Sequence, residues 1–159
     1  MTNYVPASAQ GSGNLVQKNP PGCLPAATRA LVAKFSATNP QWDGVVCLPG
    51  DPSHWVHLSA GEIVSFQSFL SLRLARTLGA EDSVNTHAVE ETMARPERLA
   101  THLASAEFSK NRDAIFGHLL GAELAAAKAY WLGQQVVIIG NDAGYGAALR
   151  ALGVPVSSA

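Results

Sequence analysis

Apolar residues along this chain cluster most densely between Val45 and Leu70, VVCLPGDPSHWVHLSAGEIVSFQSFL, where three short runs rich in Val, Ile, Phe and Trp are separated by two glycine-containing turns. That pattern predicts consecutive β-hairpins, a meander around which the rest of the chain is built. Along the second run Trp55 and His57 face one way while His54, Val56 and Leu58 face the other. In the third, Val64 and Phe66 oppose Ile63 and Phe69. Apolar residues on both faces predict a sheet covered on both sides. The turn Pro49-Gly50-Asp51-Pro52-Ser53 has a backbone limited by two prolines, with Gly50 free to take a positive φ and admit a close neighbour, so it can cradle a phosphate. Ser59-Ala60-Gly61-Glu62 reads as an ordinary hairpin turn.

Helical periodicity flanks the meander. From Leu24 to Phe35, Pro25 suits a first helical turn, and Leu24, Thr28, Leu31 and Phe35 recur at helical spacing. Asn39-Pro40 ends that helix, and Trp42 is expected to pack beneath the sheet. Ser71 to Leu78 predicts a helix with Leu72, Ala75 and Leu78 in line, stopped by Gly79. Residues 81 to 110 read as helical with a break at Pro96. Asn111 to Trp131 predicts the longest helix, striped by Ile115, Leu119, Leu120 and Leu124. Inside it Gly117 and Gly121 each cost about 1 kcal/mol relative to Ala, which calls for a close neighbour; tight helix packing is one candidate. Gln135 to Ile139 is a buried strand, followed by the glycine-rich Gly140-Asn141-Asp142-Ala143-Gly144-Tyr145-Gly146 and a helix to Leu152. The order of elements gives an α/β fold: an antiparallel meander, then helices, then a returning strand and helix. Residues 1 to 22, rich in Ser, Asn, Gln, Gly and Pro, read as a flexible arm, leaving 23 to 159 as a single domain.

Composition narrows the function classes. At 159 residues the chain is one domain in size, its net charge is −1, and no stretch concentrates Lys and Arg, so no nucleic-acid or anionic membrane surface is indicated. Charged residues make up 14%, against roughly 25% in a typical soluble domain, which is consistent with a face that expects a partner. Cys23 and Cys47 show no paired metal spacing and read as thiols in a reducing compartment. With no signal peptide and no long apolar span, a cytoplasmic location is expected. His87 and Glu91, four apart on a helix, could share a metal, but a surface polar pair is the simpler reading. His102 and His118 read as satisfied or solvated histidines, and His54 and His57 fall on opposite strand faces.

The run Leu48-Pro49-Gly50-Asp51-Pro52-Ser53-His54-Trp55-Val56, followed by Gly61-Glu62-Ile63-Val64-Ser65-Phe66, resembles the signature region of 2-dehydro-3-deoxygalactonokinases, whose pattern there is close to L-P-G-T-H-S-K-W-V. These are sugar-acid kinases of the actin and hexokinase ATPase superfamily. Gly117 to Leu124 resembles the family's glycine-punctuated late helix, and Val136 to Gly140 with Ala147-Ala148-Leu149 its closing strand and helix. The likeness runs from about residue 43 to about residue 154, with weaker hints at Asn3-Tyr4-Val5-Pro6-Ala7. It implies a ribonuclease-H-like domain, the second of two around a cleft, with ATP and Mg²⁺ as cofactors and 2-dehydro-3-deoxy-D-galactonate as substrate. By the same resemblance Gly50, Asp51, Ser53, Gly121, Gly140 and Asn141 bind nucleotide, and Asp51 binds the metal.

Departures from the family pattern bear on the chemistry. Phosphoryl transfer needs phosphates held between two turns with a metal ion, and a carboxylate to take the proton from the attacking hydroxyl. No Asp-Gly-Thr-type hairpin of the family's first domain is found. The family's Thr and His are replaced by Asp51 and Pro52 and its Lys by His54, which removes a hydroxyl and a cation and adds a negative charge. Unscreened repulsion of a phosphate by that charge is on the order of a few kcal/mol at an effective dielectric near 20; alternatively Asp51 only stabilises its turn. Where the family is acidic, this chain reads CLPAATR from Cys23 to Arg29, and Asp43 looks like a turn residue, so no general base is named. The chain is thus expected to be incomplete or inactive alone, needing a missing N-terminal half or a homo-oligomer. The alternative is a non-catalytic nucleotide-binding, oligomerisation or scaffold domain.

Overall fold

The computed structural model describes residues 3–80 and 82–159; Met1 and Thr2 of the expected arm, and Glu81 at the start of the expected helical middle, lie outside the described residues. The segment expected to be a flexible arm is instead ordered from Asn3 onward. Strands β1 (Asn3–Tyr4), β3 (Leu15–Lys18) and β4 (Pro21–Leu24) form a three-stranded sheet, while β2 (Ala7–Ser8) joins the larger sheet. A few well-placed apolar residues suffice, because Ala9, Leu15 and Leu24 are fully buried. Polar side chains then satisfy the loop backbone: Arg29 donates to the carbonyls of Ser8 (2.6 Å), Ser12 (3.0 Å) and Gly13 (3.3 Å), and Gln17 accepts from the Phe66 amide at 2.9 Å.

Arg29 also shifts the face of the first helix. In α1 (Ala26–Thr38) the inward positions are Arg29, Val32 and Ser36, and Leu31, expected in the buried stripe, is 46% exposed. Phe35 still reaches inward and meets Trp42 edge to face at 5.1 Å.

The meander forms as expected. Strands β5 (Asp43–Leu48), β6 (Ser53–Ser59) and β7 (Glu62–Phe69) pair antiparallel, and Ala60 and Gly61 take φ of 46° and 82° in the hairpin between β6 and β7. One expectation of facing fails. A bulge beside His57 and Leu58 pairs His57 with Ser65 but Leu58 with Ile63. The extra residue puts Ile63 and Phe66 on one face, with Val46, Leu48, Val56 and Leu58, where strict alternation had opposed them. Val45, Cys47 and Trp55 point to the other face. Both faces carry a core, as predicted. The returning strand β8 (Val136–Ile138) runs parallel to β5, and an unexpected edge strand β9 (Val156–Ser158) runs parallel to β8, giving the order β2-β7-β6-β5-β8-β9.

Helices cover the Trp55 face. They are α2 (Ser71–Thr77), α3 (Thr86–Ala94), α4 (Leu99–Phe108), α5 (Arg112–Ala126), α6 (Lys128–Trp131) and α7 (Tyr145–Ala151), with a 3₁₀ turn at Pro96–Arg98 where the break was expected. Gly79, at φ 70°, follows α2 as a helix-ending glycine. Asn85 caps α3 by accepting from the Ala88 amide at 3.1 Å. The long helix predicted to Trp131 divides at Ala127. Gly117 and Gly121 lie against α3: a Cβ on Gly117 would sit 2.6 Å from the Asn85 carbonyl oxygen, and one on Gly121 would collide with the Val89 carbonyl and lie 3.1 Å from the Met93 nitrogen. Close helix packing is what these glycines serve.

Candidate functional site

At one end of the sheet the turn between β5 and β6, helix α2 and the loop after β8 enclose a cleft of about 430 Å³, lined among others by Gly50, Leu72, Arg76, Asp82, Phe116 and Asn141. The turn's carboxylate is already engaged. Arg73 Nε donates to Asp51 Oδ1 at 2.8 Å, and Arg76 Nη1 lies 3.8 Å from Oδ2. Half-exposed pairs of this kind add less than about 1 kcal/mol to stability. Two guanidinium groups face one carboxylate at this rim, with Asp82 a second carboxylate on the cleft wall. Asp51, implied as the metal ligand by the resemblance, thus faces two cations, and among the described residues the group of three His and acidic side chains with metal-ligand spacing lies elsewhere. The repulsion expected of Asp51 toward an anion is offset by the same arginines.

Directly beneath the turn is a carboxylate that sequence reasoning passed over. Glu123 on α5 is 2% exposed and accepts from Ser53 Oγ at 2.7 Å, Trp55 Nε1 at 2.8 Å and Tyr145 OH at 2.9 Å. Three neutral donors, two from the start of β6 and one from α7, converge on one carboxylate, which ties the turn to the helix layer. A lone Glu between apolar Leu120 and Leu124 on a helix was the available clue. Burial first, and then Glu123, hold the Cys47 thiol well above its ordinary pKa, with Asp142 adding to the effect. Burial and the same carboxylate raise the Tyr145 phenol. Both groups stay neutral.

The structure separates the six residues implied as nucleotide contacts. Gly50 and Asn141 line the cleft, although Gly50 does not use a positive φ. Asp51 stands at the rim with its arginines. Ser53 is fully buried and its hydroxyl is committed to Glu123, and Gly121 faces α3, so neither is turned toward the cleft. Gly140, at φ 97°, borders a different groove beside α1 and the C-terminal Ala159. At the start of α7 the first amides are turned back on the preceding loop: Gly146 donates to Asp142 Oδ1 at 2.7 Å and Tyr145 to the Asp142 carbonyl at 3.0 Å. His54, at the position of the family's Lys, is buried with its Nδ1 2.7 Å from Ser68 Oγ, and desolvation lowers its pKa. It supplies no cation to the cleft.

A guanidinium, a side-chain amide and open backbone at Gly50 form a donor set suited to an anionic, polar ligand such as a nucleotide's phosphates. Of the carboxylates near the cleft, Asp51 faces two cations and Glu123 is sealed beneath the turn, which leaves Asp82 on the wall as the one among the described residues that could hold Mg²⁺.

The family model described as 2-keto-3-deoxy-galactonokinase matches residues 28–98, from α1 through the meander to the 3₁₀ turn. A crystal structure from Sinorhizobium meliloti, named for a 2-dehydro-3-deoxygalactonokinase protein, superposes with a TM-score of 0.86 at 20% identity, over 99% of this chain and 68% of that one. Among curated proteins none matches significantly. Among the described residues no helix is long and apolar enough to cross a membrane. In its signature segment and in its fold the chain thus resembles the 2-dehydro-3-deoxygalactonokinase family.

Proposed function

We propose that this chain is the nucleotide-side portion of a sugar-acid kinase of the 2-dehydro-3-deoxygalactonokinase type, with a ribonuclease-H-like sheet, acting in the cytoplasm on 2-dehydro-3-deoxy-D-galactonate with ATP. The observation that carries this reading is the pair Arg73 and Arg76 on α2, which bracket Asp51 at the mouth of the cleft. Guanidinium groups there take over the anion-binding role of the hydroxyl and Lys that the family pattern has in the turn. The strand order β7-β6-β5-β8-β9, with β6 antiparallel to both neighbours and the last two strands parallel to β5, supports the fold assignment.

Asp82 is the carboxylate on the cleft wall, and Glu123 beneath it is inaccessible to substrate. In this reading a first domain or another copy supplies the base that takes the proton from the attacking hydroxyl, and Asp82 is the carboxylate of this chain placed to share in holding Mg²⁺. The test is ADP release from ATP and the sugar acid, measured for this chain alone and after adding a first domain from a two-domain kinase. Turnover only in the mixture supports the reading. Turnover by the chain alone overturns its incompleteness, and failure of ATP to bind in either case overturns its nucleotide role.

A second reading has its own observation. Leu70 and Leu78, which flank α2, and Leu74 within it lie four residues apart and are 45–47% exposed, an apolar row beside the helix that carries the arginines. That row suits an oligomerisation or scaffold role. Leu74→Glu discriminates: loss of self-association with nucleotide affinity kept places assembly on this face.

A further inference from the structure

Away from the cleft, three helices bring together side chains that are far apart in sequence. Glu91 on α3, His102 on α4 and His118 on α5 each present a ligand atom, and these atoms all lie within 4.8 Å of one another. His102 Nε2 is 3.7 Å from Glu91 Oε1, and the two imidazoles stack with centroids 4.9 Å apart. Sequence spacing had paired Glu91 with His87 instead; the fold brings it to His102.

The far side of both rings is what lifts this above a polar contact. Thr92, fully buried on α3, places its single Oγ1 2.7 Å from His102 Nδ1 and 2.8 Å from His118 Nδ1. A hydroxyl oxygen has two lone pairs, so it can accept from both Nδ1–H groups at once. In that state both rings hold the tautomer whose Nε2 carries a free lone pair, and both are oriented by one hydrogen-bond acceptor behind them. Such a backing group is the usual support of metal-bound imidazoles. Beyond the Nε2 edge a cavity of about 300 Å³, lined also by Arg98, Thr101, Ser105 and Asn111, leaves room for a water or a small anion in a fourth position.

We propose that Glu91, His102 and His118 form a binding site for a divalent cation of the zinc class, with Thr92 as the residue that positions both imidazoles. Two nitrogens and one carboxylate oxygen with an open fourth position match Zn²⁺, Co²⁺ or Ni²⁺, whereas Mg²⁺ and Ca²⁺ require oxygen ligands. Tetrahedral ligands at about 2.0–2.1 Å from zinc stand roughly 3.4 Å apart, so binding draws the three side chains slightly inward. The half-exposed Glu91 can make that movement by changing rotamer. Bound metal clamps α3, α4 and α5, and this proposal is independent of the kinase reading.

The experiment is calorimetric titration of the full chain, stripped with a chelator, with ZnCl₂ and separately with MgCl₂. Expected are one Zn²⁺ per chain, no Mg²⁺ uptake, and a rise in melting temperature with Zn²⁺. Co²⁺ should give visible d–d bands of a low-coordinate N/O site. Glu91→Gln and His118→Gln should abolish uptake, and Thr92→Val should weaken it about ten- to a hundredfold. His87→Ala should leave it unchanged. Absence of stoichiometric Zn²⁺ uptake by the wild-type chain, or uptake equal in Glu91→Gln and wild type, overturns the proposal and leaves the cluster as a polar bridge between helices. Because Glu91 is half exposed, Glu91→Gln serves as the test should the histidine variants fail to fold.

Discussion

Asp51 and Glu123 are two carboxylates at the same end of the same sheet, and they have opposite roles. Glu123 is buried, accepts from three neutral donors, and holds the β6 end, α5 and α7 together. Asp51, on the surface of the turn just above, faces two largely exposed guanidinium groups and adds little to folding. A buried acceptor that holds three buried donors is a structural part, because removing it strands donors that water cannot reach. An exposed carboxylate among cations is adjustable, because its partners can leave it for a stronger anion. Position relative to solvent decides the role here, more than distance from the turn.

The largest effect expected from this contrast is Glu123→Ala, which strands Ser53, Trp55 and Tyr145 and should cost about 3–5 kcal/mol, read as a drop in the urea midpoint. A fully stable variant would break the contrast from its buried side. Next is Gly121→Ala, whose methyl meets α3 backbone beside Thr92 and Met93 and should cost roughly 1–3 kcal/mol. Were this variant stable but poor in nucleotide binding, Gly121 would face ligand after all.

His54 extends the buried side to a titratable base. Desolvation lowers its folded pKa, and His118 is lowered by desolvation and then by neighbouring His102. Below about pH 6.5, the unfolded value, the unfolded chain takes up protons that the folded chain does not. Stability should therefore be full above about pH 6.5 and decline as pH falls toward the lower folded values. Melting temperature followed from pH 7.5 to 5 in wild type and His54→Gln checks this, with a shallower decline expected in the variant. The smallest effect is Asp51→Ala, expected to change stability by less than about 1 kcal/mol. A loss as large as that of Glu123→Ala would erase the distinction between the two carboxylates.

Legibility of the sequence followed the same division. The meander, the break at Pro96, the returning strand and the apolar core on both sheet faces were readable because alternation, Pro and Gly act locally. What was hidden depended on contacts distant in sequence. Residues 3–22 looked like an arm because their order comes from a few buried apolar groups and from Arg29, a residue that composition counts as solvent-seeking. Ile63 and Phe66 share a face through a bulge that strict alternation does not show. Gly121 carried two open readings until the helix against it was known. At the cleft, Gly50 lies in the turn that the sequence singled out and Asn141 was named through the resemblance, whereas nothing in the sequence pointed to Arg73 and Arg76. They matter because α2 folds back over the turn, which no local pattern encodes.

Nucleotide affinity of the Arg73→Ala/Arg76→Ala double variant, titrated with a fluorescent ATP analogue and competed with ATP, tests most directly whether this rim holds a phosphate chain. The account predicts saturable binding by the wild-type chain that weakens at least about tenfold, near 1.4 kcal/mol, in the double variant, with an unchanged melting temperature. Equal affinity in the two proteins, or no binding by the wild type at millimolar analogue, would contradict it.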